Sequence, residues 1–327
     1  MSKKRKDEHI KFAKSQVFTK NDFSKIRLIH HSIPSVNLSD INLETTYLGQ
    51  TFSYPFYINA MTGGSEKGNA LNYKLAKLAS LYNIPFFVGS QSLAFKEKGV
   101  KEEYIALRKA FPHLFIVANV NPNFTLAMAK EAVNMLNANA LAIHVNSIQE
   151  LVMTEGDRDF SRWLTNIKTI VEGVNVPVIV KEVGYGLHLV TIEKLIAIGV
   201  KNIDLSGAGG TNFTKIETDR KKENDSPFND FGLSAVESLL IAPPTEGVTY
   251  FASGGIHSGV NIVKALALGA KAVGMARYFL DLGDLEMSEA QEKLDELILD
   301  IKKTLVLLNA KEVTEVNKSH IFKSPLV

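Results

Sequence analysis

Between residues 54 and 277 the chain repeatedly passes through a short apolar run and then a longer segment with apolar residues at helical spacing. That alternation admits few folds. A strand apolar at nearly every position must be buried on both faces, and a parallel sheet covered by helices does this. The runs predict strands at 55–60, 85–89, 114–118, 141–145, 178–183, 202–205, 249–252 and 272–275. Between them lie helical patterns such as Leu71, Leu75, Leu78, Ala79 and Tyr82, or Ile192, Leu195 and Ile196 ending at Gly199. About eight such units define an α/β fold, a (β/α)8 TIM barrel. At 327 residues the chain suits one such domain spanning 1–327.

Three segments stand outside the repeat. An N-terminal arm, 1–50, begins as a polar stretch of mixed charge that reads as a solvated tail or a helix start. Its later part, 36–50, predicts a hairpin plugging one barrel mouth. Residues 208–232 form an inserted polar loop that predicts a lid or a partly disordered segment. From Ser288 a capping box with Gln291 predicts the last barrel helix.

Composition narrows function mainly by exclusion. The absence of cysteine removes disulfides, thiolate metal sites and any thiol nucleophile, and it fits a cytoplasmic protein. A formal charge of +2 argues against nucleic acid or a membrane as the main partner. No apolar run is long enough to span a bilayer, and the basic N-terminus lacks the apolar core of a secretory signal.

In a barrel of this type the active site lies at the C-terminal ends of the strands. Here those ends read Met61-Thr62-Gly63-Gly64, Ser90-Gln91, Asn119, His144-x-Asn146, Lys181, Ser206-Gly207, Gly254-Gly255 and Ala276-Arg277. The stretch from Thr249 to Arg277 supplies two neighbouring strand ends stripped of side chains; such glycines either serve tight turns and close packing alone or bare N–H groups beside a helix start as a phosphate cradle. A ring of small polar groups, one cation and a cradle suits a planar heterocycle with a phosphate tail, with FMN the leading candidate. Lys181 would hold the charge that develops on a reduced flavin; an internal ion pair with Glu182, phosphate ligation or Schiff-base chemistry also fits a lysine there. Glu150 alone is too little for an all-protein metal cage but suffices for Mg²⁺ shared with substrate phosphates.

The segments Arg5-Lys6-Asp7-Glu8-His9, His144-x-Asn146-x-x-Gln149-Glu150, Lys181-Glu182-Val183-Gly184, Ser206-Gly207-Ala208-Gly209-Gly210-Thr211 and Ala252-Ser253-Gly254-Gly255-Ile256 occur in this order. With them and the strand ends above, the sequence closely resembles the type 2 isopentenyl-diphosphate isomerase family over nearly its whole length. The resemblance implies an FMN-dependent barrel that interconverts isopentenyl and dimethylallyl diphosphate, with Mg²⁺, reduced flavin as acid and base, and NADPH as reductant. It implies that Met61, Thr62, Gly63, Ser90, Asn119, Lys181, Ser206 and Thr211 hold the flavin ring and ribityl chain. Gly255, Ile256, His257, Ala276 and Arg277 would hold its phosphate, His257 standing where many members carry arginine. Arg5, Lys6, His9, His144 and Asn146 would bind the substrate diphosphate, Gln149 would lie over the allyl unit, and Glu150 would bind the metal. A homotetramer or larger assembly is also implied.

Two rival readings remain at this point. An FMN α-hydroxy-acid oxidase would need His-x-x-Arg after the sixth strand, where this chain has Ser206 to Thr211 with neither residue. A catalytically silent barrel binding flavin or a phosphorylated metabolite as a sensor would lack turnover that depends on a reductant.

Overall fold

Eight short parallel strands close into a barrel, each apolar run of the sequence supplying one. The computed structural model describes residues 3–17, 21–61, 63–223 and 225–323. In chain order the strands are β1 (Phe56–Ile58), β2 (Phe86–Phe87), β3 (Ile116–Val120), β4 (Ala140–His144), β5 (Val178–Lys181), β6 (Asn202–Asp204), β7 (Thr249–Ser253) and β8 (Val273–Met275). β8 pairs with β1, which closes the ring. Strand β3 begins two residues later than the apolar run, because Arg108 draws the carbonyls of Phe111, Pro112 and Leu114 into a turn at 3.1, 3.1 and 2.9 Å.

The helices are α1 (Lys3–Ser15), α2 (Glu66–Tyr82), α3 (Val100–Ala110), α4 (Leu126–Leu136), α5 (Ser147–Val152) and α6 (Trp163–Gly173), then α7 (Leu189–Ala197), α8 (Phe213–Lys221), α9 (Ala235–Ile241), α10 (Gly259–Ala267), α11 (Arg277–Leu282) and α12 (Met287–Leu307). Most of them cover the barrel, and the main core lies between sheet and helices, where residues such as Leu75, Ile116, Ile192, Ile262 and Leu294 are fully or almost fully buried. The cap of α12 differs from the expected Ser288–Gln291 pair. Glu286 and Glu289 form the box instead, since the helix begins at Met287 and the Glu286 N–H donates to the Glu289 carboxylate at 2.9 Å.

One end of the barrel is closed by a hairpin, Thr45–Tyr47 with Gln50–Phe52, turning through Leu48 and Gly49. Its Tyr47, Leu48 and Phe52 join Tyr57, Phe87, Phe115 and Phe251 in a separate interior cluster. Tyr47 and Phe52 lie 4.6 Å apart, and Phe52 meets Phe115 edge-on at 5.0 Å. This filling makes the lower barrel a packed core, so ligands enter from the opposite end.

At that opposite end lie α1 and α8, which the polar sequence of 3–15 and 208–232 did not specify. Ala13 of α1, Ile216 of α8 and Leu280 of α11 form a third apolar cluster, with Ile10, Phe12 and Phe213 against it. The 208–232 segment carries an ordered helix because Asn212 caps α8 and Ile216 is buried there.

Candidate active site

Strand register brings the titratable groups to one level. His144 pairs with Lys181, and Lys181 with Asp204, each at the last position of its strand. Lys181 is buried and donates to the Glu182 carbonyl at 2.8 Å. Burial lowers its pKa, and the carboxylates of Asp204 and Glu182 oppose that shift. The Glu182 side chain turns away from the ammonium and accepts from the amides of Val183, Gly184 and Tyr185 at 2.6, 2.6 and 2.5 Å. Burial pushes its carboxyl up to about 7 against the pull of those amides.

Asp204 was hidden in the sequence inside a run otherwise read as apolar. Fully buried, it accepts from Tyr57 Oη at 2.8 Å, from Ser253 Oγ at 2.8 and 3.0 Å, and from the Ser206 amide at 3.1 Å. A charged residue between Ile203 and Leu205 was the one signal available.

Beside this row lies the cradle. Gly254 and Gly255 have φ of +95° and +74°, and a Cβ on Gly254 would fall 1.9 Å from the Gly207 carbonyl. A Cβ on Gly210 would come within 3.1 Å of Gly254 Cα. Two turns thus pack backbone against backbone with no room for a side chain, an arrangement that suits a phosphate cradle. Thr211, Ser206, Ile256, His257 and Ala276 line the same pocket.

On the other flank, Asn146 Nδ2 donates to Gln149 Oε1 at 3.1 Å and to Glu150 Oε1 at 2.9 Å. Its own Oδ1 is buried with no hydrogen-bond partner. Such an orphaned acceptor calls for a donor from a ligand or a bound water. Glu150 Oε2 accepts from the Asp157 amide at 2.9 Å, so each carboxylate oxygen keeps a lone pair for a cation. Among the described residues no group of three or more His, Cys, Asp or Glu side chains could hold a metal ion.

Helix α1 forms the roof. Arg5 and Lys6 are buried, and both line the pocket with His9. Burial and the adjacent Arg5 bring Lys6 down to about 8. Arg5 Nη1 donates to Glu155 Oε1 at 3.1 Å and lies 3.6 Å from Met153 Sδ. Arg220 of α8 shares Glu155 at 3.1 Å, meets Glu8 at 3.2 Å and forms an ion pair with Glu217. Glu217 also accepts from His9 Nε2 at 3.0 Å. Burial pushes the Glu155 carboxyl up, but its hydrogen bonds, those from Arg5 and Arg220 among them, bring it down to about 2.

Of the residues expected at the site, Met61, Ser90, Asn119, Gln149, Glu150, Lys181 and Gly255 line this pocket together with those described above. Gly63 does not line it; a Cβ there would sit 2.6 Å from Tyr104 Oη, so close packing accounts for the glycine. Thr62 lies outside the described residues. Arg277 reaches the pocket, but its guanidinium donates to the carbonyls of Ala13, Lys14 and Gln16 and to Asp281.

A barrel with a glycine cradle and a buried lysine at its strand ends defines the FMN-dependent dehydrogenase class, and residues 108–323 match the family model of FMN-dependent dehydrogenases. Solved structures of the same fold include (S)-mandelate dehydrogenase from Pseudomonas putida, at 18% identity and a TM-score of 0.70 over 97% of this chain and 91% of that one. The flavin-binding domain of baker's yeast flavocytochrome b2 is another, at 17% identity and 0.73 over 96% and 82%. Much nearer in sequence is an isopentenyl-diphosphate delta-isomerase of Listeria innocua, 42% identical over 99% of this chain and 92% of its own length. One from Staphylococcus aureus is 42% identical over 98% and 93%. The chain belongs to the isopentenyl-diphosphate delta-isomerase family. Among the described residues no helix is long and apolar enough to cross a membrane.

Proposed function

We propose that the protein interconverts isopentenyl and dimethylallyl diphosphate by a 1,3-allylic proton shift, with FMN, Mg²⁺ and a reductant such as NADPH. The observation that carries this reading is the pairing, in one pocket, of a backbone phosphate cradle beside Lys181 with a separate cationic roof of Arg5 and Lys6. Two anion sites flanking one polar interior suit a phosphorylated cofactor and a diphosphate substrate bound face to face.

The residues present fit both groups. Gly210, Thr211 and Gly255 to His257 would take the cofactor phosphate, with the backbone of Ala276 and Arg277 beside them. Met61, Ser90, Asn119, Ser206 and Lys181 would face the ring and ribityl chain. When bound, reduced FMN would supply the acid and base that the unactivated alkene needs. Lys181, held by the Glu182 carbonyl, would stabilise negative charge at the ring edge. Arg5 and Lys6 would grip the diphosphate, His9, His144 and Asn146 would line the site beside it, and Glu150 would share Mg²⁺ with it. Gln149, steadied by Asn146, orients the allyl unit. Helix α1 excludes water. Assembly into a homo-oligomer belongs to the same proposal.

The test is direct. Purified protein should be yellow, bleach with NADPH, and convert isopentenyl diphosphate to dimethylallyl diphosphate by proton NMR without net consumption of reductant. Reconstitution with 5-deazaFMN should abolish turnover while the cofactor still binds. A colourless protein, or stoichiometric oxidation of an α-hydroxy acid, would overturn the reading. The latter chemistry lacks its residues here, since Ser206 to Thr211 supplies neither histidine nor arginine after β6.

A further inference from the structure

Helix α1 carries Arg5 and Lys6 into the pocket from its N-terminal half, but its far end is fastened somewhere else. Arg277 Nη1 donates to the carbonyls of Ala13 and Gln16 at 2.6 and 3.2 Å, and Nη2 donates to Lys14 at 2.8 Å. Asp281 holds Arg277 Nε at 2.8 and 3.0 Å and so aims the fork. The last carbonyls of a helix have no donor within the helix and carry the negative end of its dipole, so a guanidinium satisfies both. Gln16 adds a second clasp. It is buried, its Nε2 donates to the Asn212 carbonyl at 2.8 Å, and its Oε1 accepts from the Asn212 amide at 2.9 Å.

Both clasps are rooted beside the cradle. Asn212 directly follows Thr211, and Arg277 directly follows Ala276. We propose that Gln16 and Arg277 are positioning residues that couple the loops of the cofactor phosphate to helix α1, so that FMN occupancy sets the placement of Arg5 and Lys6 and with it the affinity for a diphosphate. This rests on the reading of the pocket as a flavin and diphosphate site. A phosphate that orders these loops favours the docked helix, and by linkage the docked helix favours the cofactor. Neither clasp needs to touch the diphosphate.

Hydrogen exchange and calorimetry on the full-length protein test the coupling, with inorganic diphosphate as the probe. Adding FMN to the wild-type apoprotein is expected to slow amide exchange across residues 3–15 by about tenfold or more. Gln16→Ala, compared at saturating FMN, is expected to lose that protection and to weaken diphosphate binding on the order of tenfold. Arg277→Gln should act in the same direction. Arg277→Lys should restore part of the affinity, since an ammonium still donates to one or two of the carbonyls. In turnover, KM should rise more than kcat falls.

Exchange in 3–15 that ignores FMN in the wild type overturns the proposal, as does an unchanged diphosphate Kd in Gln16→Ala. An FMN affinity in Gln16→Ala equal to that of wild type also overturns it, since linkage requires the cofactor to weaken when the clasp is lost. If the wild-type holoprotein binds no diphosphate, the functional reading fails instead, and the FMN response of α1 alone decides the clasp.

Discussion

His144 donates from Nδ1 to Asn119 Oδ1 at 2.9 Å, and the Asn119 amide is oriented one way because its Nδ2 donates to the Val88 carbonyl at 3.0 Å. Gln91, wholly buried, accepts from the Asn119 backbone N–H at 2.9 Å while its own Nε2 donates to the Ala132 carbonyl at 3.0 Å. A neutral imidazole therefore carries a proton on Nδ1.

Burial, aided by the Lys181 and Lys6 cations, holds His144 down to about 3 from its ordinary 6.5. Below pH 6.5 the unfolded chain takes up a proton that the folded protein refuses. The stability contributed by the neutral ring is therefore whole above that value and is lost as the pH falls from 6.5 towards 3. Urea unfolding at about pH 7.5 and about pH 5.5 should show wild type losing on the order of 1 kcal/mol more than His144→Gln. Equal losses in the two proteins would refute this account.

Arg5 is held between Met153 and Glu155, so its guanidinium is already placed when a ligand arrives. Arg5→Ala should raise KM for the diphosphate substrate by about tenfold to a hundredfold through the loss of charge-assisted hydrogen bonds, with FMN content unchanged. Steady-state kinetics beside the flavin absorbance decide it. A KM equal to that of wild type would remove Arg5 from the substrate site.

Glu150, the proposed Mg²⁺ ligand, has one carboxylate whose two oxygens already accept from Asn146 and Asp157. Mg²⁺ should therefore bind the substrate-free protein weakly and the diphosphate complex at least about tenfold more tightly. Calorimetric titration of Mg²⁺ with and without inorganic diphosphate reads this difference, and Glu150→Gln should abolish it. Tight binding to the substrate-free protein would count against the assignment.

Asp204 stands at the end of the row of His144 and Lys181 and joins Tyr57, Ser253 and the Ser206 backbone. Asp204→Asn presents an NH₂ group to at least one of those donors and should cost about 3 kcal/mol of unfolding free energy. Denaturant titration measures the cost. A change of less than about 0.5 kcal/mol would mean that the cluster tolerates a neutral partner.

Much of the architecture was legible in the sequence because barrel strands and helices are local patterns. Runs such as Val178 to Lys181 or Thr249 to Ser253 need burial on both faces whatever surrounds them, and each became a strand. The cradle was legible for a related reason. Gly254 and Gly255 occupy a backbone conformation that side chains disfavour, so the residue type records the geometry directly.

The contacts of the roof were not recorded that way. Arg5 meets Glu155 across 150 positions, His9 meets Glu217 across 208 and Arg220 meets Glu8 across 212, and charged residues so far apart carry no local sign of a partner. Residues 3–15 have the composition of a solvated helix, yet Arg5 is buried against Met153 and Glu155 and Lys6 against the Ser90 carbonyl, while α8 and α11 pack on the apolar side of the helix. The sequence by itself thus determined the barrel, its glycine cradle and the lysine at its strand ends, through periodicity and backbone permissiveness. Only tertiary structure decided that a polar arm becomes the roof and that Gln16 and Arg277 hold it, since burial and ion pairing there arise from segments that meet only when the barrel has closed.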